Sequence, residues 1–151
     1  MSGGTPAGRI TRPPRLAHVA VVVRQLEAAE EWFRDRLGLA SGIRESLPSR
    51  GVRVAFVPIG AGAIELVQPT GAGGPLERFL ATSGETVHHV AVEVPDIDAA
   101  MAVARSAGFR LIDATARPGA HGTKVAFVHP RSTHGLLVEL IERPDGRDIG
   151  P

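Results

Sequence analysis

The chain has 151 residues, 43% hydrophobic and 22% charged, with a formal net charge of +1 and no cysteine. That balance describes one globular domain with a single core and excludes a disordered chain; no apolar run approaches the roughly 20 residues of a membrane span. The basic residues are scattered arginines rather than a stripe, which argues against nucleic acid. Without cysteine there are no disulfides, thiolate nucleophiles or zinc–cysteine sites, and a reducing, cytoplasmic setting is expected.

Residues 1–15, MSGGTPAGRITRPPR, lack an apolar signal region and are expected to be a disordered tail, with a transit segment as the alternative reading. LAHVAVVV at 16–23 is a β-branched run and predicts a strand. Leu26, Ala29, Phe33 and Leu37 then recur at helical spacing, with acids at the front and Gly38 at the end. VRVAFVPI turns through Gly60-Ala61-Gly62 into AIELVQP, two more strands. PLERFLA predicts a short amphipathic linker helix, at about 74–83. After the strand VHHVAVEV, Pro95-Asp96 opens a helix with Asp96 as its N-cap and Ile97, Ala100, Met101 and Ala104 on its buried face. KVAFVHP and LLVELIE close the sequence of strands, and residues 143–151 are expected to be a second loose tail.

The second half repeats the first. His89 follows His18 by 71 residues, and at that offset His18, Val19, Ala20, Val21, Val23, Ala28 and Ala29 all recur. GVRVAFV at 51–57 meets GTKVAFV at 122–128 at the same offset. AIELV at 63–67 meets LVELI at 137–141, three residues further on. Agreement over three blocks in one order marks a duplicated module. The modules are expected at about 16–70 and 86–142, each a strand, a helix and about three strands.

Within the apolar strands lie polar residues at matched places. Side chains alternate along a strand, so Glu65 shares a face with Ala63 and Val67, and Glu139 with Leu137 and Ile141. His18 lies with Ala20 and Val22, and His89 with Val87 and Ala91. A single strand glutamate is more often solvated, and a single strand histidine more often plain packing. Both types recur in both copies, however, and burying an unpaired carboxylate costs several kcal/mol. A divalent cation held by His18, Glu65, His89 and Glu139 balances two carboxylates with two neutral imidazoles. A pseudo-twofold relation between the modules would bring one His and one Glu from each to a common centre. The register selects His89 rather than His88, which is expected to face the other way and to pack. His121, His129 and His134 fall in or beside loops, as pocket-mouth or solvated residues.

Duplicated βαβββ modules carrying one His and one Glu each resemble the vicinal oxygen chelate superfamily, and within it the methylmalonyl-CoA epimerase family. The likeness rests on HVAVVV, GVRVAFV, IELVQP, VHHVAVEVPDIDAA and above all GAHGTKVAFVHPRSTHGLLVEL at 119–140. It implies an α+β fold in which two pseudo-twofold-related βαβββ modules form a curved mixed sheet around a metal site. It also implies a homodimer, an acyl-CoA substrate and one divalent ion, with Mg²⁺, Mn²⁺, Co²⁺, Ni²⁺ and Zn²⁺ all compatible with an N₂O₂ set. The implied reaction interconverts (2R)- and (2S)-methylmalonyl-CoA by removing and returning the C2 proton through an enolate. Glu139 is implied as one base. The place where some members carry the second is Val54 here, so Glu65 is expected to serve the other face. The same His/Glu set is similar to that of glyoxalase I, but the last loop, HPRSTHG, is closer to the epimerase pattern, with Arg131 where the family usually has Lys. A non-catalytic binding protein of the superfamily is the remaining alternative, and such proteins typically lack the four positions kept here. Lys124, Arg131 and Arg53 are candidate cations for CoA phosphates, although surface solvation is the more common role for any one of them.

Overall fold

The computed structural model describes residues 13–40 and 42–144, so both expected tails lie almost wholly outside the described residues. It has two compact units, one spanning Leu16–Ala91 and one taking in residues 92–144.

The first unit contains β1 (Arg15–Val22), α1 (Leu26–Leu37), β2 (Arg44–Leu47), β3 (Val52–Ile59), β4 (Gly62–Pro69), α2 (Pro75–Ser83) and most of β5 (Thr86–Glu93). Its strands lie in the order β2-β3-β4-β1-β5. β1 runs parallel to β4, whereas β4 with β3 and β3 with β2 are antiparallel, so the sheet is mixed. One face packs under α1, where Val23, Leu26, Ala55, Val57 and Leu66 form the core and Ala29 and Phe33 lie against it. Leu37 departs from the expected buried face and is 54% exposed. It is the last helical residue before Gly38, which turns the chain at φ +68°. The periodicity of a helix gives its apolar face, not where the sheet beneath it stops.

Buried within α1, Glu30 is 2% exposed and accepts a hydrogen bond from Nε of Arg44 at 2.6 Å. The pair ties β2 to the helix and compensates a carboxylate that could not otherwise leave water.

The second unit contains α3 (Ile97–Ser106), β6 (Arg117–Pro118), β7 (Lys124–Val128) and β8 (Val138–Glu142), with strands in the order β8-β7-β6. Val94, Ile97, Met101 and Ala126 make its core, flanked by Ala100, Leu111, Ala116 and Leu140. β6 is only two residues long; Pro118 has no N–H to extend the ladder. The expected N-cap forms, with Asp96 Oδ1 accepting from the Ala99 amide at 2.8 Å.

The duplication reaches side-chain detail. Gln68 at the end of β4 accepts from the Leu26 amide at 2.8 Å, and Glu142 at the end of β8 accepts from the Ile97 amide at 2.8 Å. Each module thus uses its last strand to satisfy a first-turn amide of its own helix. The α+β architecture of repeated strand–helix–strand modules is the one the sequence leads one to expect. No helix among the described residues is long and apolar enough to cross a membrane.

Met101 is 1% exposed, and Met101→Ala should cost about 2–5 kcal/mol through lost burial and the cavity left behind. Val103→Ala, on the same helix but 47% exposed, should change stability by no more than about 0.5 kcal/mol. Urea unfolding of both variants checks this, and equal losses would refute the core placement.

Candidate metal centre

The parallel register of β1 on β4 sets His18 opposite Ala63 and Ala20 opposite Glu65. On the other side of β4, Phe56 stands opposite Glu65 and Val54 opposite Val67. Alternation then gathers His18, Val54, Phe56 and Glu65 on the face turned away from α1. β5 borders β1 and adds His89. His18 is 4% exposed, Glu65 8% and His89 6%, so three polar side chains share one desolvated place.

Their donor atoms converge. Nε2 of His18 lies 3.3 Å from Nε2 of His89. One carboxylate oxygen of Glu65, Oε2, is 3.2 Å from the His18 nitrogen and 3.7 Å from the His89 nitrogen. A divalent ion with bonds of about 2.0–2.2 Å sets neighbouring donors roughly 3.0–3.5 Å apart. The observed triangle matches that spacing within half an ångström. Two imidazoles and a carboxylate are also a donor set suited to Zn²⁺, Co²⁺, Ni²⁺ or Mn²⁺. The spacing of these three donors is compatible with a bound divalent ion.

The surroundings hold the rings in place. Phe56 meets His18 edge to face, with centroids 5.7 Å apart and planes at 78°. Nδ1 of His89, on the side of the ring away from the cluster, lies 2.9 Å from Nδ1 of His88. His88 in turn meets Phe79 of α2 edge to face at 4.8 Å. Alternation alone assigns His88 to plain packing on the far side. The structure adds a ring-to-ring polar contact, possible because Nδ1 sits only two bonds beyond Cβ.

Glu139 belongs to the second unit, on β8, and is 3% exposed. It stands opposite Phe127 in the β7–β8 ladder, as Glu65 stands opposite Phe56 in the β3–β4 ladder. The loop histidines divide. His129 caps the 3-10 turn Pro130–Ser132, its Nδ1 accepting from the Arg131 amide at 3.1 Å, while His121 and His134 hold positive φ of 54° and 57°. Of the three candidate phosphate-binding cations, two have acidic neighbours. Arg53 pairs with Glu27, which holds that carboxyl below its ordinary range, and Lys124 lies 3.5 Å from Glu142.

Residues 17–127 match the model of the Glyoxalase/Bleomycin resistance protein/Dioxygenase superfamily. An ethylmalonyl-CoA/methylmalonyl-CoA epimerase of Cereibacter sphaeroides is 41% identical over 128 residues, covering 83% of this chain and 96% of that one. A solved methylmalonyl-CoA epimerase in complex with methylmalonyl-CoA and NH₄⁺ superposes with a TM-score of 0.82 at 31% identity, over 87% of this chain and 95% of that one. A lactoylglutathione lyase of Neisseria meningitidis serogroup B is more distant, at 30% identity over 135 residues, covering 89% of this chain and 94% of that one.

A divalent cation at a hundredfold its dissociation constant should stabilise the fold by about 2.7 kcal/mol, a rise in melting temperature of roughly 5–10 °C. A chelator should reverse the rise, and His18→Ala or Glu65→Ala should abolish it. Melting curves unmoved by Co²⁺, Mn²⁺, Ni²⁺, Zn²⁺ and Mg²⁺ alike would rule the centre out.

Proposed function

The chain belongs to the glyoxalase/bleomycin resistance protein/dioxygenase superfamily, and we propose that it is an isomerase interconverting the C2 epimers of methylmalonyl-CoA. The observation that carries this reading is the buried convergence of His18, Glu65 and His89 in a chain so similar to epimerases of that substrate. Glu139 is the fourth ligand in this reading, supported by its burial and by its matched place opposite Phe127.

C2 of the substrate lies between a thioester and a carboxylate, so its proton is acidic enough to be removed by a positioned carboxylate. A bound divalent cation would supply Lewis acidity to the oxygens flanking C2. In one direction Glu139 starts as the carboxylate and takes the C2 proton on one face, while Glu65 starts protonated and gives its proton to the other face; in the reverse direction the two protonation states are exchanged. Val54, 2% exposed on the same face as Glu65, offers no proton-transferring group, so the second base is drawn from the ligand glutamates. Each carboxylate sits among apolar strands, where charge interactions are stronger than in water. A homodimer in the cytoplasm completes the proposal and is checked by light scattering and fractionation.

The lactoylglutathione lyase likeness favours one rival, a glyoxalase I-like isomerisation of a glutathione thiohemiacetal. Proton NMR of methylmalonyl-CoA in D₂O separates the two. Metal-loaded protein should wash out the C2 proton signal and interconvert the epimers, and chelation should stop both. Absence of exchange with metal bound would overturn the epimerase reading and turn attention to the thiohemiacetal. Glu139→Gln and Glu65→Gln should each lower turnover by about 10²–10⁴-fold, the usual worth of general acid–base catalysis. Full turnover in a metal-loaded Glu65→Gln variant would remove Glu65 as a base.

A further inference from the structure

We propose that His88 is a positioning residue that fixes the tautomer and ring orientation of His89. The inference rests on the reading of His89 as a metal ligand and extends it to a neighbour that the sequence consigns to packing.

The geometry supplies the argument. His89 turns Nε2 toward Nε2 of His18, at 3.3 Å, and toward Oε2 of Glu65, at 3.7 Å. To ligate through Nε2, a neutral imidazole must keep a lone pair there, and its proton must then reside on Nδ1. Nδ1 of His89 lies 2.9 Å from Nδ1 of His88. His89 therefore donates and His88 accepts, which leaves the His88 proton on its own Nε2. Ligating histidines characteristically donate their other ring N–H in this way, usually to a carboxylate, carbonyl or water, and such outer partners are worth 10–100-fold in metal affinity. Here the acceptor is the preceding residue of the same strand. Phe79 of α2, edge on at 4.8 Å with planes at 88°, limits the rotation of the His88 ring. The linker helix thus bears on the metal centre through one ring-to-ring contact and one hydrogen bond.

Two substitutions separate the hydrogen bond from the packing. His88→Asn places an amide oxygen where Nδ1 stood and removes the ring. His88→Phe keeps a ring against Phe79 and removes the acceptor. If His88 positions His89, the Phe variant should bind Co²⁺ about 10–100-fold more weakly by calorimetry, and the Asn variant should stay within about threefold of wild type by the same reasoning. If His88 only packs, the order reverses: Phe binds like wild type and Asn is the weaker. Either wild-type affinity in the Phe variant or equal losses in both would overturn the proposal. Nitrogen-15 NMR of the histidine rings gives a second readout that needs no metal. His89 should be protonated at Nδ1 in wild type and in the Asn variant, and should shift toward the other tautomer in the Phe variant. Should wild type take up no cation, the ligand reading fails. The ring spectra still decide the matter, because an Nε2-protonated His89 in wild type would refute the role given to His88.

Discussion

Three polar side chains facing one another in an apolar interior impose the constraint on which the rest of the structure turns. His18, Glu65 and His89 each have less than a tenth of their surface in water, and their donor atoms stand between 3.2 and 3.7 Å apart. Burying a carboxylate without compensation costs several kcal/mol, so a fold that keeps such a cluster must hold it rigidly and provide something to balance it. The mixed sheet does the first. A parallel β1–β4 pair aligns His18 and Glu65 on one face, and an antiparallel β3–β4 pair puts Phe56 across from the glutamate. The face turned to α1 carries the apolar core, with Arg53 and Gln68 meeting the helix at its margin, while the polar cluster lies on the opposite face.

Duplication explains how such a face arises twice. A strand–helix–strand module that ends in a glutamate-bearing strand needs its helix docked at a fixed angle. Both copies achieve this with the final residue but one or the final residue of that strand: Gln68 reaches Leu26, and Glu142 reaches Ile97. The chemistry of the two differs, an amide in one copy and a carboxylate in the other, yet the first-turn amide is satisfied in both. Glu142 also has Lys124 at 3.5 Å, which balances the charge the amide avoids. The pairings Phe56–Glu65 and Phe127–Glu139 likewise recur in both copies, three residues earlier along the same strands. What is kept between the copies is the placement of polar groups relative to the ladder, more than the identity of the surrounding apolar residues.

Much of this was legible in the sequence wherever the signal was local. Gly38 closes α1 in the left-handed region, and Asp96 caps α3, because each acts through its own backbone neighbourhood. His18, Glu65 and His89 stood out because their polarity broke an apolar alternation at corresponding places in two copies. Other features depend on partners distant in sequence. β2 carries Arg44, Glu45 and Ser46, a polar run without strand character, and it forms through its ladder with β3 and the Arg44–Glu30 pair. β6 shrinks to two residues at Pro118, so the modules are less alike than their sequences imply. Leu37 is exposed although it keeps perfect helical spacing. The His88–His89 contact escaped for a different reason: alternation assigns side chains to faces by their Cβ direction and is blind to atoms close to the backbone.

The apolar residue at Val54 sharpens what the face can do. A valine with 2% of its surface exposed, two residues from Phe56 and on the same face, can neither carry a proton nor ligate a cation. It adds a buried apolar side chain to the face that carries Glu65. In the proposed reaction, proton transfer on this side is assigned to Glu65, the carboxylate present on that face. A glutamate serving both roles needs one oxygen committed and one available. The 3.2 Å and 3.7 Å approaches both belong to the same oxygen, Oε2. In the proposed reaction Oε1 is therefore the oxygen assigned to the moving proton, and the orientation of the His89 ring is what the proposed positioning by His88 preserves.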